Sequence, residues 1–324
     1  MTAESLGTWY IAGHAGLVGS ALVRRWQHAG HGVMVASRSI LDLTDGASVR
    51  QWLAQRKPDG VVHAAGRVGG IFANAKAPAE FLYENLIMGA NLIHGAWQAG
   101  IKHLLNFGSS CMYPRACQQP MRTDMLLTGR LEPTSEPYAV AKLSSLSLCA
   151  SYSRQYGVRY LTAIPCTLYG PGDSFDPDHA HVLSAMLAKF HDAKVQHRAS
   201  VRLWGSGLAR REFLYVDDLA EASELLLTRY EGLEPVNIGS GESYTIRDLA
   251  VIVARVVGFD GAIEWDTSKP DGAAEKLLDS SGMRQLGWSP RTALRQGIEQ
   301  TYRWFVAQHS EQANRTVPHP CVSS

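Results

Sequence analysis

The stretch from Thr8 to Ala29 constrains this chain most. Thr8 to Ala12 is a short apolar run that reads as a strand, Gly13-His14-Ala15-Gly16-Leu17-Val18-Gly19 is a glycine turn, and Ser20 to Ala29 has helical periodicity. A second apolar run, Gly32 to Ser37, follows at the spacing of a βαβ unit. Further strands are predicted at Gly60 to Ala65 and Lys102 to Gly108, with helices near Val49 to Arg56 and Ala79 to Gln98 between them. A helix over Ser135 to Tyr156 and a strand over Tyr160 to Pro165 continue the alternation. Such alternation builds an α/β fold with a doubly wound parallel sheet, because parallel neighbours can be joined only by crossovers that cover the faces.

The alternation loosens at the Gly- and Pro-rich segment Tyr169 to Pro177. Helices at His181 to Lys194, Leu219 to Arg229 and Ile246 to Val257, with short strands between, predict a smaller C-terminal α/β substrate lobe over the open end of the sheet. Asn237 to Gly241 is expected to thread back into the main sheet.

Charge narrows the function classes. With 31 Lys+Arg against 30 Asp+Glu, the net charge of +1 offers no general attraction to polyanions, which argues against nucleic acid or an anionic membrane surface as partner. Met1 to Thr8 lacks a basic patch followed by an apolar core, and no apolar run approaches the ~18 residues of a membrane span, so a soluble, cytoplasmic protein is expected. The five cysteines, Cys111, Cys117, Cys149, Cys166 and Cys321, lack CxxC or zinc-like spacing and read as reduced thiols, with no structural metal expected. Cys321-Val322-Ser323-Ser324 has the outline of a prenylation box, but Ser323 stands where an aliphatic residue is needed.

The glycine turn has the spacing GxxGxxG. Missing side chains let backbone approach a pyrophosphate, and the following helix start offers unpaired N–H groups; a ligand-free tight turn is the bland alternative. Where NAD-preferring folds place an acidic residue against the ribose, Ser37-Arg38-Ser39 brings a guanidinium and no carboxylate, which favours NADP. Tyr138 and Lys142 are four apart on a helix and share a face, so the ammonium is expected to lower the phenol's pKa. Ser109, at the end of a strand, could hydrogen-bond the substrate oxygen that Tyr138 protonates. Cys111 is either a thiolate base or an inert buried thiol. His181 could act as an acid on the opposite face of the substrate; His179 is its rival, and a solvated or capping histidine is the other reading of both.

Together these residues resemble the GDP-L-fucose synthase family of extended short-chain dehydrogenases/reductases. The likeness runs from about Tyr10 to Phe305 and rests on the glycine turn, Arg67-Val68-Gly69-Gly70-Ile71, Gly108-Ser109-Ser110-Cys111-Met112-Tyr113-Pro114, Pro137-Tyr138-Ala139-Val140-Ala141-Lys142, Arg211-Glu212-Phe213-Leu214 and Ser268-Lys269-Pro270-Asp271-Gly272. The resemblance implies a homodimeric enzyme that epimerises and reduces a GDP-linked 4-keto sugar with NADPH. It implies catalytic roles for Ser109, Cys111, Tyr138, Lys142 and His181. Cofactor contacts are implied for Gly13, His14, Gly16, Leu17, Val18, Gly19, Arg38, Asp42, Leu43, Ala65, Gly108, Ser109, Ser110, Lys142, Pro165, Leu168 and His181. Substrate contacts are implied for Lys189, Trp204, Arg211 and Lys276.

The pattern departs from the family at Ala15, at Cys166-Thr167, and at Lys189, Ala262 and Glu275, which stand where arginines are usual. Two other readings accompany the main one: an epimerase or 4-reductase acting on another GDP-hexose or GDP-heptose, and a non-catalytic NADP-binding protein, against which the intact Ser109, Tyr138 and Lys142 argue. The expected domains are an NADP-binding Rossmann unit at 1–170 with returning segments near 211–218 and 236–241, a substrate lobe mainly at 171–308, and a disordered polar tail at 309–324.

Overall fold

A computed structural model describes residues 6–176, 180–269 and 271–315. His179 and Cys321 therefore lie outside the described residues. In the first half of the chain the elements run β1 (Thr8–Ala12), α1 (Leu17–His28), β2 (Gly32–Met34), α2 (Gly46–Arg56), β3 (Gly60–His63), α3 (Ile71–Lys76), α4 (Pro78–Gln98), β4 (His103–Phe107) and α5 (Glu136–Tyr156). Next come β5 (Arg159–Pro165), β6 (Thr167–Tyr169), α6 (Val182–Val195), β7 (Ser200–Trp204), β8 (Arg210–Tyr215) and α7 (Val216–Arg229). The chain continues through β9 (Val236–Ile238), β10 (Ser243–Thr245), α8 (Ile246–Val257), β11 (Ala262–Asp266), β12 (Glu275–Lys276), α9 (Ser281–Gln285) and α10 (Leu294–Arg315).

Six strands form the main sheet in the order β2-β1-β3-β4-β5-β9, and every pairing is parallel. Both faces are covered, and the strands show why. Along β1, Trp9 and Ile11 point into one core with Trp26 of α1 and Leu219 and Leu226 of α7. Tyr10 and Ala12, one residue out of step, join Leu53 of α2 and Leu92 and Ile93 of α4 in the other. All of these side chains are buried, and truncating one such leucine to alanine typically costs about 2–5 kcal/mol. The chain runs from β1 outward to β2 and then back across to β3, so the strand order reverses between β1 and β3. Ligands of open α/β sheets bind at that crevice, beyond the carboxyl ends of the strands.

The lobe has its own core, with Leu183, Leu187 and Phe190 of α6 packed with Leu249 and Val253 of α8. Its strands form a second sheet, β10-β8-β12 with β6 also on β8, and a β7–β11 pair. The placement of 211–218 differs from the sequence expectation. Tyr215 and the rest of β8 belong to this second sheet, since β9 occupies the place beside β5. Only the following α7 returns to the main unit, where Asp217 pairs with Arg24 and Glu224 with Arg25 of α1. Helix α10 continues through His309 to Arg315, so the segment read as a tail begins inside a helix. Among the described residues no helix is long and apolar enough to cross a membrane.

Candidate active site

The carboxyl ends of the main-sheet strands face the lobe across a cleft of about 1560 Å³. That exceeds the ~300–1,000 Å³ of a pocket for one small molecule, leaving room for two ligands side by side. Gly13, His14, Gly16, Leu17, Val18, Arg38, Asp42, Leu43, Ala65, Gly108, Ser109, Ser110, Cys111, Tyr138, Lys142, Pro165 and Leu168 line it from the main unit. His181, Lys189, Trp204, Arg211 and Lys276 line it from the lobe. Gly19 is placed differently from the expectation: it is buried, does not line the cleft, and a Cβ there would collide with the Gly13 carbonyl. Its missing side chain lets α1 close on the turn.

The glycine turn fits a dinucleotide. Gly13 has a φ of +85°, and a Cβ on it would lie 2.6 Å from the Ala65 nitrogen, so both the conformation and the close approach of β1 to β3 demand glycine. Gly16 caps α1 without a side-chain hydrogen bond, and the first turn of α1 carries no acidic residue. Its amides are thus left for an anion. Arg38 Nε lies 3.4 Å from Asp42 Oδ2, while Asp42 Oδ1 accepts hydrogen bonds from Thr44 N at 2.9 Å and Thr44 Oγ1 at 2.8 Å. A carboxylate does stand beside Arg38, contrary to the sequence expectation. The turn in which Ile40 and Leu41 both donate to the Ser37 carbonyl folds Asp42 back, a return that the strand end alone does not reveal.

Across the cleft from this cradle, Ser109 caps a short turn after β4 and accepts a hydrogen bond from Cys111 N at 3.2 Å. Tyr138 and Lys142 lie one turn apart on α5, with Lys142 Nζ 5.8 Å from the Tyr138 ring centre. Lys142 is buried and donates to the Phe107 carbonyl at 2.9 Å, and burial brings its pKa down to about 8. The phenol shifts opposite to the expectation. Burial, which disfavours a phenolate, and secondarily the nearby Cys111 sulfur push the Tyr138 pKa up. A protonated phenol is the form a proton donor needs. Beneath them His63 is fully buried, and burial together with the Lys142 charge holds its pKa at about 3, so it is neutral.

Cys111 Sγ lies 3.8 Å from Lys276 Nζ. Burial alone would raise the thiol's pKa, but the Lys276 charge and hydrogen bonds from Ser109, Ser135 and Lys276 outweigh it, and the net shift is downward. His181 caps α6 by its backbone and faces Asp173 across the cleft rim. Asp173 is held by the Ser184 hydroxyl; burial raises its pKa against the opposing pull of His181. On the lobe wall, Trp204 is 57 % exposed, with Lys189 Nζ at 5.4 Å and Lys269 Nζ at 5.7 Å from its ring centre. An exposed indole flanked by ammonium groups offers a stacking face beside anion-binding charge.

Ser135, Asp173 and Lys269 line the cleft although the sequence assigns none of them a role; Lys269 lies within a string that carries the resemblance. Ser135 begins the helix predicted to carry Tyr138 and Lys142, and Asp173 follows Gly170-Pro171-Gly172 in the Gly- and Pro-rich segment, so both had a local signal. Ala262 pairs with Ser200 in β11, and Glu275 is tied to Arg210 at 3.4 Å; neither side chain lines the cleft. Among the described residues no group of His, Cys, Asp or Glu could hold a metal ion.

This fold and cleft are those of a nicotinamide-dependent sugar-nucleotide enzyme, and the chain belongs to the NAD dependent epimerase/dehydratase family, whose profile matches residues 9–239. It is 49% identical over 298 residues to GDP-L-fucose synthase 1 of Arabidopsis thaliana, covering 92% of each chain. It is 47% identical to GDP-L-fucose synthase of Sinorhizobium fredii, covering 92% of this chain and 95% of that one. Among solved structures it resembles a GDP-mannoheptose C4 reductase from Campylobacter jejuni with NADP bound, at a TM-score of 0.83 and 32% identity, covering 93% of this chain and 98% of that one.

Proposed function

We propose that the protein converts GDP-4-keto-6-deoxymannose to GDP-L-fucose by epimerising carbons 3 and 5 and reducing carbon 4, with NADPH as cofactor. The observation that carries this reading is the meeting of Cys111, Tyr138 and Lys276 in the cleft that the glycine turn also lines. A base, a proton donor and a cofactor cradle thus share one pocket.

The 4-keto group acidifies the hydrogens on carbons 3 and 5. The Cys111 thiolate removes one of them: a C–H bond breaks, an S–H bond forms, and the electron pair moves onto the carbonyl oxygen as an enolate. Ser109 and Tyr138 donate hydrogen bonds to that oxygen. His181, in its protonated form, returns a proton to the opposite face of the ring and inverts the centre; once Cys111 has released its proton to solvent and His181 has taken one up, the cycle repeats at the other carbon. When bound, the cofactor supplies the hydride for carbon 4. Tyr138 then gives its phenolic proton to the carbon 4 oxygen, and Lys142, held by the Phe107 carbonyl, positions the ribose and offsets the phenolate's charge.

Arg38 favours NADPH over NADH: Asp42 engages its Nε, and the guanidinium's outer nitrogens remain for a 2'-phosphate. Lys189, Trp204, Arg211 and Lys276 hold the nucleoside diphosphate. A second copy of the chain is the expected partner along α5, beside a groove walled by Leu127, Val140 and Leu148. The runner-up substrate is a GDP-linked 4-keto heptose, favoured by the likeness to the GDP-mannoheptose C4 reductase. Parallel assays of NADPH oxidation with the 6-deoxyhexose and the heptose decide between them. Higher kcat/KM on GDP-4-keto-6-deoxymannose is the expected result, and turnover of the heptose alone would replace the substrate.

A further inference from the structure

Lys276 has a role that substrate binding does not account for. It sits on β12, a strand of only two residues, 165 positions away in sequence from the thiol it approaches. Two paired residues do not fix an ammonium by themselves, yet the segment around Lys276 is anchored at successive amides. Leu277 N donates to Gln119 Oε1 at 2.8 Å, and Leu278 N donates to Glu212 Oε2 at 2.9 Å. The Leu277 carbonyl accepts from Met121 N at 2.8 Å. The other oxygen of Glu212 accepts from Gly241 N at 2.7 Å. Glu212 is 1% exposed, so its carboxyl group serves backbone donors from two segments, Leu278 on one side and Gly241 with Ser240 on the other, and nothing in solvent.

The groups that face Cys111 come from four directions: Ser109 from its own turn, Ser135 and Tyr138 at the start of α5, Arg211 from β8 and Lys276 from β12. Lys276 is the cation placed at contact distance from the sulfur. An ammonium held against a thiol stabilises the thiolate before any substrate arrives.

We propose that Lys276 activates Cys111 as a thiolate base and that Glu212 is the positioning residue that holds Lys276 against it. The inference rests on the reading of Cys111 as the epimerisation base, but its electrostatic part can be measured without substrate.

The experiment follows alkylation of Cys111 by iodoacetamide in the full chain, from about pH 5 to about pH 10, with peptide-resolved mass spectrometry separating Cys111 from the other cysteines. The wild-type midpoint is expected below the ~8.5 of an ordinary cysteine. Lys276→Met should raise it by roughly 1 unit or more, Lys276→Arg should keep it low, and Glu212→Gln should raise it by less than Lys276→Met does. Gln keeps one acceptor oxygen but turns the other into an NH2 group that faces backbone N–H donors, so it loosens the clamp without removing the charge of Lys276. Circular dichroism confirms folding; should Lys276→Met unfold, the wild-type midpoint and Lys276→Gln carry the test. A wild-type midpoint at or above the ordinary value, or no shift on loss of the ammonium, overturns the proposal. The expected shifts together with undiminished solvent-deuterium exchange at carbons 3 and 5 in Cys111→Ser would support the activation device and overturn the base assignment instead.

Discussion

The cofactor cradle and the catalytic pocket are built by different physics. On the main-sheet side, the cradle from Gly13 to Val18 is a single contiguous turn whose function follows from backbone: a positive φ at Gly13, the near contact with Ala65 and the uncapped start of α1. In the catalytic pocket, Cys111 and Tyr138 from the main unit and His181, Arg211 and Lys276 from the lobe arrive from five separate elements, and what each can do depends on the charges and burial around it. Backbone geometry of the first kind can be written in a short stretch of sequence. An electrostatic balance such as burial against the Lys276 ammonium at Cys111 exists only once distant segments have met.

Variants in the two regions should therefore fail in different ways. The largest effect is expected from Tyr138→Phe, which removes the proposed proton donor while leaving the cradle intact. Reduction should fall by about 10²- to 10⁴-fold with cofactor binding retained, as read by NADPH oxidation beside a fluorescence titration; comparable loss of binding would show that the two regions are not separable. On the backbone side, Gly19→Ala should lower stability by about 1–3 kcal/mol and weaken cofactor binding, since the new Cβ meets the Gly13 carbonyl. Thermal unfolding with and without NADPH measures it. Arg38→Ala should raise KM for NADPH about tenfold and leave KM for NADH nearly unchanged; equal effects on both would remove Arg38 from phosphate recognition.

The smallest effect concerns pH. Burial raises the Glu212 pKa from 4.5 to about 7, so the folded state holds this proton more tightly than the unfolded chain does. Its contribution to stability is fully present below about pH 4.5 and is lost as pH rises through about 7. Between pH 6 and pH 8 the loss amounts to about 1 kcal/mol. The groups around it are the Leu278, Gly241 and Ser240 amides, Arg284 and the Cys166 thiol. Denaturant unfolding of Glu212→Gln at the two pH values should lack this difference; an unchanged slope would assign it to another group.

Much of this arrangement was legible in the residues. The period of β1, its glycine turn and α1 predicts the doubly wound sheet, and the four-residue spacing of Tyr138 and Lys142 puts them on one helical face. Legibility ended where partners are chosen at long range. Nothing local in Arg210–Tyr215 says that β8 pairs with β6, β10 and β12 rather than entering the main sheet. The helix that carries the start of the tail past His309 is not legible in the residues, because Gln312, Asn314 and Arg315 show no apolar stripe, although α10 continues through them. Tyr138 was expected to be acidified by its lysine, but burial, invisible in spacing, dominates and raises its pKa. Asp42 was not expected to pair with Arg38, because a tight turn rather than the strand brings it there.

The central claim is that one cleft performs both epimerisation and reduction. Its most direct test is turnover of GDP-4-keto-6-deoxymannose with NADPH in deuterated water, with NMR of the product. The account predicts GDP-L-fucose carrying deuterium at carbons 3 and 5 and the cofactor's hydrogen at carbon 4. A reduced product with protium at carbons 3 and 5 and the starting configuration retained would contradict it, leaving a simple 4-reductase.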